Sequence, residues 1–246
     1  MKTKTIIEDY YENIDLHTNV QQKGILGLLR EKLIKFNEDR DKTAFNMLPP
    51  RVETFLDIGC NDGNFLIYTH EKYKHGFGVD ISRNIIKTAQ KNVYSHGLSS
   101  KILIKRADIE MGLPFRHEQM DLVTCLAVIE HLFDPQKAFI EIGRVLKKGG
   151  YLIVEVPNLA WLPRRLALLF GVRPRTSWDA GLDGGHISYF TFDSLQKLLE
   201  DSGFKVLKIG CSGVFAKLRY IYPSLLSGNI IFLAKKNKDK SKKRKA

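Results

Sequence analysis

From residue 52 onward the spacing of apolar positions switches repeatedly between a strand period and a helix period. VETFLDI (52–58) is a short run rich in β-branched and aromatic residues, which predicts a strand. NFLIYTHEKY (64–73) reads as a helix. GFGVDI (76–81) predicts a second strand, and SRNIIKTAQKNVYSH (82–96) a helix with Ser82 as its N-cap. KILIKRAD (101–108) and MDLVTCLAV (120–128) read as the third and fourth strands. PQKAFIEIGRVLKK (135–148) predicts a helix with Pro135 in its first turn and Gly149 and Gly150 after its end. YLIVEVP (151–157) completes the series as a fifth strand.

Strands alternating with helices argue for a parallel sheet covered on both faces. After residue 157 the pattern changes. NLAWLPRRLALLFGVRPRTSWDAGLDGG (158–185) is irregular and rich in aromatics, arginines and glycines. TFDSLQKLLEDSG (191–203) predicts a helix capped by Thr191. FKVLKIGC (204–211) and NIIFLAKK (229–236) predict a final hairpin-like pair of strands. Upstream, Ile25, Leu28, Leu29, Leu33, Ile34 and Phe36 fall at largely helical spacing before Pro49 and Pro50 break the chain. The expected organisation is an N-terminal helical segment (1–50), one domain (51–234) with an insertion at 158–185 that lids a substrate site, and a basic, unordered tail (235–246).

Composition narrows the class. A chain of 246 residues with 43% hydrophobic content suits one well-buried α/β domain. Cys60, Cys125 and Cys211 are widely spaced and odd in number, which gives no disulfide framework or CxxC metal spacing and favours a reducing compartment. The start, MKTKTIIEDYYENID, lacks the apolar core of a signal peptide, and no run reaches the roughly 18–20 apolar residues that span a bilayer. The expectation is a cytoplasmic protein. The net charge of +12 is uneven: KKNKDKSKKRKA (235–246) carries +7 of it. The tail reads as a solvated end, with RNA, anionic lipid or an acidic partner as its other reading.

The candidate chemistry starts at FLDIGCNDGNF (55–65), a strand running into a tight turn and then a helix. In a doubly wound sheet, ligands sit beyond the carboxyl ends of the strands. The turn departs from the dinucleotide fingerprint, because Asn61 replaces the middle glycine and Gly63 is out of place; no Gly-Lys-Ser/Thr follows to make a phosphate loop. Asp57 and Asp62 would repel a pyrophosphate. A cationic nucleoside without phosphate, S-adenosylmethionine, fits better. Asp57 then balances its positive end, and Gly59 lets the backbone approach. Asn61 tolerates a left-handed conformation. Asp80, ending the second strand, takes the ribose hydroxyls, and Asp108, ending the third, meets the adenine amine.

On these residues the chain resembles the class I S-adenosylmethionine-dependent methyltransferases, in the small-molecule branch similar to ubiquinone-biosynthesis and glycan-modifying enzymes. FLDIGCNDGNF looks like their glycine-rich first motif and GVDIS (78–82) like the acidic second-strand motif. ADIEMGLPF (107–115), DLVTCLAVIEHL (121–132), LKKGGYLIVEVPN (146–158) and GHISYFT (185–191) are similar to the stretches that follow, in order. The resemblance covers residues 50–210. It implies a Rossmann-like doubly wound α/β fold whose seven-stranded sheet is mostly parallel with one antiparallel strand. It also implies that Ile81 and Ile109 flank the adenine and that Leu126 offers backbone to the methionine moiety.

Methyl transfer from a sulfonium is an in-line displacement in which the protein mainly aligns the partners and excludes water. A hydroxyl or ammonium acceptor also needs a base. The candidate catalytic residues are Glu130 and His131, just past the fourth strand, and His186 and Tyr189, at the end of the insertion. Metal-dependent 2′-O-methyltransferases of small RNAs carry E-x-x-E-H and a later histidine. Here AVIEH (127–131) and His186 match the spacing, but Ala127 replaces the first carboxylate, so no metal is expected. In the insertion, Trp161, Phe170 and Trp178 offer apolar walls, and Arg164, Arg165, Arg173 and Arg175 are placed to receive an anionic acceptor. LAWLPRRLALLFGV (159–172) is amphipathic enough to lie on a membrane surface, helped by Tyr220, Tyr222 and the tail. The expected activity is methylation, at oxygen, of a small-molecule, glycan- or lipid-linked acceptor, with peripheral membrane contact as an option. RNA methylation and a non-catalytic, cofactor-binding partner subunit are the alternatives.

Overall fold

The computed structural model describes residues 40–177, 183–213 and 216–237. The predicted apolar helix around Ile25–Phe36, Trp178 and the tail from 238 lie outside them. The described chain opens in a helix over 40–47 (α1). There follow β1 (Val52–Ile58), α2 (Asn64–Tyr68), β2 (Tyr73–Asp80), α3 (Arg83–Ser95), β3 (Ile102–Arg106), β4 (Met120–Leu126), α4 (Pro135–Val145) and β5 (Leu146–Pro157). After these come α5 (Leu162–Leu169), α6 (Phe192–Asp201), β6 (Phe204–Ser212), α7 (Pro223–Leu226) and β7 (Asn229–Lys236).

The strands form one seven-stranded sheet in the order β3-β2-β1-β4-β5-β7-β6. β7 runs antiparallel to β5 and β6, and the remaining pairs are parallel. This is the expected doubly wound arrangement with one antiparallel strand. Alternate residues of each strand face opposite layers. Phe55, Leu122 and Ile153 pack with Ala44 and Met47 of α1, Leu66 of α2 and Ile86 and Ala89 of α3. Leu56, Val123 and Leu152 pack with Phe139 and Ile142 of α4 and Leu195 and Leu199 of α6.

Two predicted helices end early, each for a local reason. The helix expected over 64–73 stops at Tyr68, and β2 begins at Tyr73. Tyr73 is buried in the core and its hydroxyl donates to Leu66 O at 2.7 Å, so it cannot sit on a surface helix. The helix expected over 135–148 ends at Val145. Met120 pairs with Leu146 but Leu122 pairs with Tyr151, so residues 147–150 bulge out of β5. Gly149, with φ 76°, thus serves a bulge and not a helix cap. The predicted boundary at 234 is also corrected: Lys235 and Lys236 pair with neighbouring strands at the end of β7.

The insertion is pinned to the carboxyl end of β5. Asn158 is fully buried, and its side-chain amide donates to Ser224 O at 3.0 Å and Ser227 O at 2.8 Å. Its side-chain oxygen accepts from Ala160 N at 3.0 Å. Arg164 is buried too, and its guanidinium is spent on four carbonyls, those of Asn158, Gly228, Arg175 and Thr176. The expectation that Arg164 receives an anionic acceptor is therefore overturned: burial lowers its pKa to about 10, and the fork serves as an internal clamp. Asn158→Ala would leave the buried Ser227 carbonyl and the half-buried Ser224 carbonyl without this donor and should cost about 1–3 kcal/mol. Urea unfolding should show this as a lower midpoint with an unchanged slope; an unchanged midpoint would mean that the loop does not depend on this anchor.

Candidate functional site

The sheet order reverses between β1 and β4, and the crevice opens at their carboxyl ends. Asp57 and Thr124 are direct neighbours across this pair, and Thr124 Oγ1 donates to Asp57 Oδ1 at 2.5 Å. The chain then leaves β1 through three left-handed positions, Gly59 (φ 69°), Asn61 (φ 46°) and Gly63 (φ 81°). Gly59 N and Cys60 N both donate to Val79 O, at 2.8 and 3.0 Å, which draws the turn against β2. A Cβ on Gly59 would lie 2.2 Å from Val128 Cγ2, so only glycine lets the turn pass under the end of β4.

Asp80 ends β2 at the lip of this turn. One of its oxygens accepts from Ser82 N at 3.0 Å and the other from Asn61 N at 3.2 Å. Asp62 faces the start of α2, accepting from Asn64 N and Asn64 Nδ2. Ile81 is half-buried beside Asp80, and its carbonyl accepts from Arg106 Nε. Asp108 caps the short turn after β3, accepting from Glu110 N at 2.9 Å, while Ile109 is packed into the core. Leu126, half-buried, ends β4. The predicted Asp57, Gly59, Asn61, Gly63, Asp80, Ile81, Asp108 and Leu126 therefore all occur along one edge of the sheet.

A second cluster begins where β4 ends. The chain turns at Ala127 (φ 55°) into a single helical turn, Ile129–His131. The Glu130 carbonyl accepts from both Ile187 N and Ser188 N at 2.9 Å, which brings the end of the insertion onto this turn. His131 and His186 meet edge to face with ring centroids 4.6 Å apart. His131 Nδ1 lies 3.3 Å from Gly185 O, and His186 Nε2 lies 3.9 Å from Glu130 Oε1. His186 Nδ1 is 2.7 Å from Thr176 Oγ1, which itself donates to Asp183 Oδ2 at 2.6 Å. The other Asp183 oxygen accepts from Thr176 N and Ser177 N. A hydroxyl that gives its proton to Asp183 must accept from His186, so Nδ1 bears the proton and Nε2 the lone pair. Tyr189 stands apart: its hydroxyl donates to His186 O and accepts from Arg173.

The edge is strongly acidic. Burial raises Asp57 to about 7 against the opposing Thr124 hydrogen bond, and raises Asp80 despite its backbone donors. Burial, with Glu155 nearby, pushes Glu130 well above the carboxylate range, and burial lifts Glu155 to about 7. Burial lowers His186 to about 4. Arg40 of α1 pairs with Asp41 at 2.8 Å and also feels the charges of Glu155 and Glu130; burial opposes its charge, but the acids outweigh this and raise its pKa. Both Glu130 carboxylate oxygens and one of Glu155 are buried without hydrogen-bond partners. An edge with many acceptors and surplus buried acid suits a ligand with positive charge and hydroxyl donors.

Sequence reasoning missed Arg40, Thr124, Glu155, Thr176 and Asp183. Polar residues inside the apolar strands, Thr124 and Glu155, were the available signal. In the insertion, Trp161 packs beneath the Arg164 guanidinium, 5.3 Å from its ring centroid, and Phe170 is 77% exposed. Leu168, Leu169 and Val172 are exposed beside it. Among the described residues, no helix is long and apolar enough to cross a membrane.

A family profile described as a methyltransferase domain matches residues 29–209. The demethylmenaquinone methyltransferase of Bacteroides fragilis is 33% identical over 116 residues, covering 46% of this chain and 47% of that relative. The match thus spans about half of the relative's length. An uncharacterized protein of Haemophilus influenzae is 37% identical over 187 residues, covering 71% of this chain and 72% of its own. Among solved structures, the magnesium protoporphyrin IX methyltransferase of Synechocystis with bound SAH (S-adenosylhomocysteine) superposes with a TM-score of 0.71 at 16% identity, covering 96% of this chain and all of that one. At that identity the likeness concerns the fold.

Gly59→Ala tests the crevice directly. It combines a left-handed φ with a contact of 2.2 Å, so it should lower unfolding free energy by about 1–3 kcal/mol. A denaturation midpoint equal to that of the parent protein would show that the turn can relax away from Val128.

Proposed function

The chain belongs to the class I S-adenosylmethionine-dependent methyltransferases, its methyltransferase domain matching residues 29–209, and from this premise we propose that it methylates a small-molecule, glycan- or lipid-linked acceptor at oxygen. The observation that carries our assignment of the cofactor side is the Asp80 carboxylate, held at the lip of the glycine turn by Ser82 N and Asn61 N. When bound, the cofactor supplies a methyl group already activated by its sulfonium. Asp80, fixed by two backbone donors, still has lone pairs for a pair of ribose hydroxyls. Gly59 and Gly63 have no side chain to block close approach, and Asn61 holds the left-handed position between them. Asp57 stands behind the turn as a carboxyl whose charge a cationic ligand recovers. Ile81, Asp108, Ile109 and Leu126 complete the proposed cofactor side.

Glu130, His131 and His186 form the proposed acceptor side. Glu130 and His131 follow Val128, whose side chain lies against Gly59, and His186 packs on His131, so the cluster stands one short turn from the cofactor's proposed place. Their role is to orient the acceptor oxygen and manage its proton, with Tyr189 at the rim. The relative from Bacteroides fragilis, named for a quinone precursor, supports an apolar acceptor. So does the exposed row of Leu168, Leu169, Phe170 and Val172, which suits a lipid-linked substrate or contact with a membrane surface.

Calorimetric titration with S-adenosylhomocysteine, with NADH as control, tests the cofactor side. Binding of the first and none of the second is expected, and Asp80→Ala should weaken it by about 1.5–3 kcal/mol. Unchanged affinity in that variant would remove Asp80 from the site.

The pH dependence has a defined sign. With its carboxyl raised to about 7, Asp57 is largely protonated below that value. A sulfonium favours the ionised form, so binding must expel this proton at low pH. Affinity for S-adenosylmethionine should fall as pH drops from 8 to 6, by up to tenfold per unit below the pKa. Asp57→Asn should flatten the profile, and S-adenosylhomocysteine, which lacks the sulfonium, should show a weaker dependence. A flat profile in the parent protein would rule out Asp57 as the charge partner.

A further inference from the structure

We propose that Glu130, His131 and His186 bind one divalent transition-metal ion at the end of β4. The proposal rests on reading this cluster as the acceptor side and names what that side holds. The three residues can each present a ligand atom within 4.8 Å of the others. Proximity alone would not carry the inference. Two further observations do.

The first is the Glu130 side chain. It is 1% exposed, and both of its oxygens are buried without a hydrogen-bond partner. A carboxyl group left in that condition costs free energy whichever protonation state it adopts. Its main-chain carbonyl is tied to Ile187 N and Ser188 N, so the residue is fixed where it stands. Something that accepts electron pairs belongs between it and its neighbours.

The second is the orientation of His186. Thr176, which donates to Asp183, accepts the hydrogen bond from Nδ1–H and so leaves the Nε2 lone pair directed toward Glu130 Oε1, 3.9 Å away. Two acceptors face each other across a gap too long for a hydrogen bond. A cation at about 2.0–2.2 Å from each satisfies both. Fixing the outer nitrogen of an imidazole through a hydrogen-bonded carboxylate chain is also how ligating histidines are held in metal sites. His131, packed against His186 with its Nδ1 near Gly185 O, supplies the third ligand.

Two imidazoles and one carboxylate suit zinc, cobalt or manganese better than magnesium or calcium, which prefer oxygen alone. Three protein ligands leave an open position, where an acceptor oxygen can bind. The absence of a carboxylate at Ala127 does not dismantle this group. Ala127 turns the chain out of β4 at φ 55°, and the ligands come from the next turn and the insertion.

The test uses the full chain, freed of metal by chelator dialysis and titrated with cobalt(II) chloride while visible absorption is recorded. One equivalent per chain and a ligand-field band in the visible region are expected. Glu130→Gln and His186→Ala should each weaken binding tenfold or more, and Thr176→Val, which leaves all three ligands in place, about tenfold through the lost outer hydrogen bond. Asp80→Ala should leave it unchanged. Retained binding of S-adenosylhomocysteine in the three cluster variants shows that they are folded. No stoichiometric cobalt binding, or binding that survives both ligand substitutions, overturns the proposal. Cobalt binding without S-adenosylhomocysteine binding would instead overturn the cofactor assignment and leave the metal site standing.

Discussion

A carboxylate removed from water must be answered by donors, a proton or a cation, or it costs several kcal/mol. At the carboxyl edge of this sheet Asp57, Glu130 and Glu155 are buried and Asp80 partly so. Each is answered differently. Asp57 has the Thr124 hydroxyl, Asp80 two backbone amides, Glu155 the favourable field of Arg40 while one of its oxygens lacks a hydrogen-bond partner, and the Glu130 side chain has no hydrogen-bond donor. The gradient from satisfied to unsatisfied runs from the proposed cofactor side to the proposed acceptor side. The site is therefore prepared for positive charge at two places, and the proposed sulfonium and metal ion each answer one of them.

The fold creates this situation through one topological event. Where the strand order reverses, β1 and β4 lie side by side and their following segments diverge to opposite faces. The turn after β1 goes toward β2 through Val79 O, while the turn after β4 goes toward the insertion through the Glu130 carbonyl. Gly59 and Val128 touch at the point of divergence. A side chain on Gly59 would collide with Val128, so the glycine turn after β1 and the turn after β4 can meet this closely only with glycine there.

Much of this was legible in the sequence because it depends on local periodicity. Asp57, Asp80 and Asp108 could be assigned to strand ends because the apolar runs before them fix where each strand stops. The glycine turn was legible because left-handed positions demand Gly or Asn. What escaped detection depends on pairing at a distance. Arg164 looks like a solvent-facing charge in an arginine-rich loop, yet four carbonyls that converge only in the folded chain bury it. Thr176 and Asp183 look like ordinary loop residues until His186 is placed beside them. The end of the helix after Pro135 was missed because Leu146 satisfies the helical pattern as well as it satisfies the strand that the register with Met120 selects.

Glu130 has a double role that bears on how the two halves communicate. Its main chain anchors the end of the insertion, through Ile187 and Ser188, and its side chain faces His186 from the same insertion. The side chain and the main chain of this one residue therefore both meet the end of the insertion. A ligand that draws Glu130 and His186 together tightens the contact between the turn after β4 and the insertion. One that separates them strains the two amide hydrogen bonds to the Glu130 carbonyl. The turn after β4 and the end of the insertion are thus joined at Glu130 through both its main chain and its side chain, so a ligand held by Glu130 and His186 would bridge the two segments.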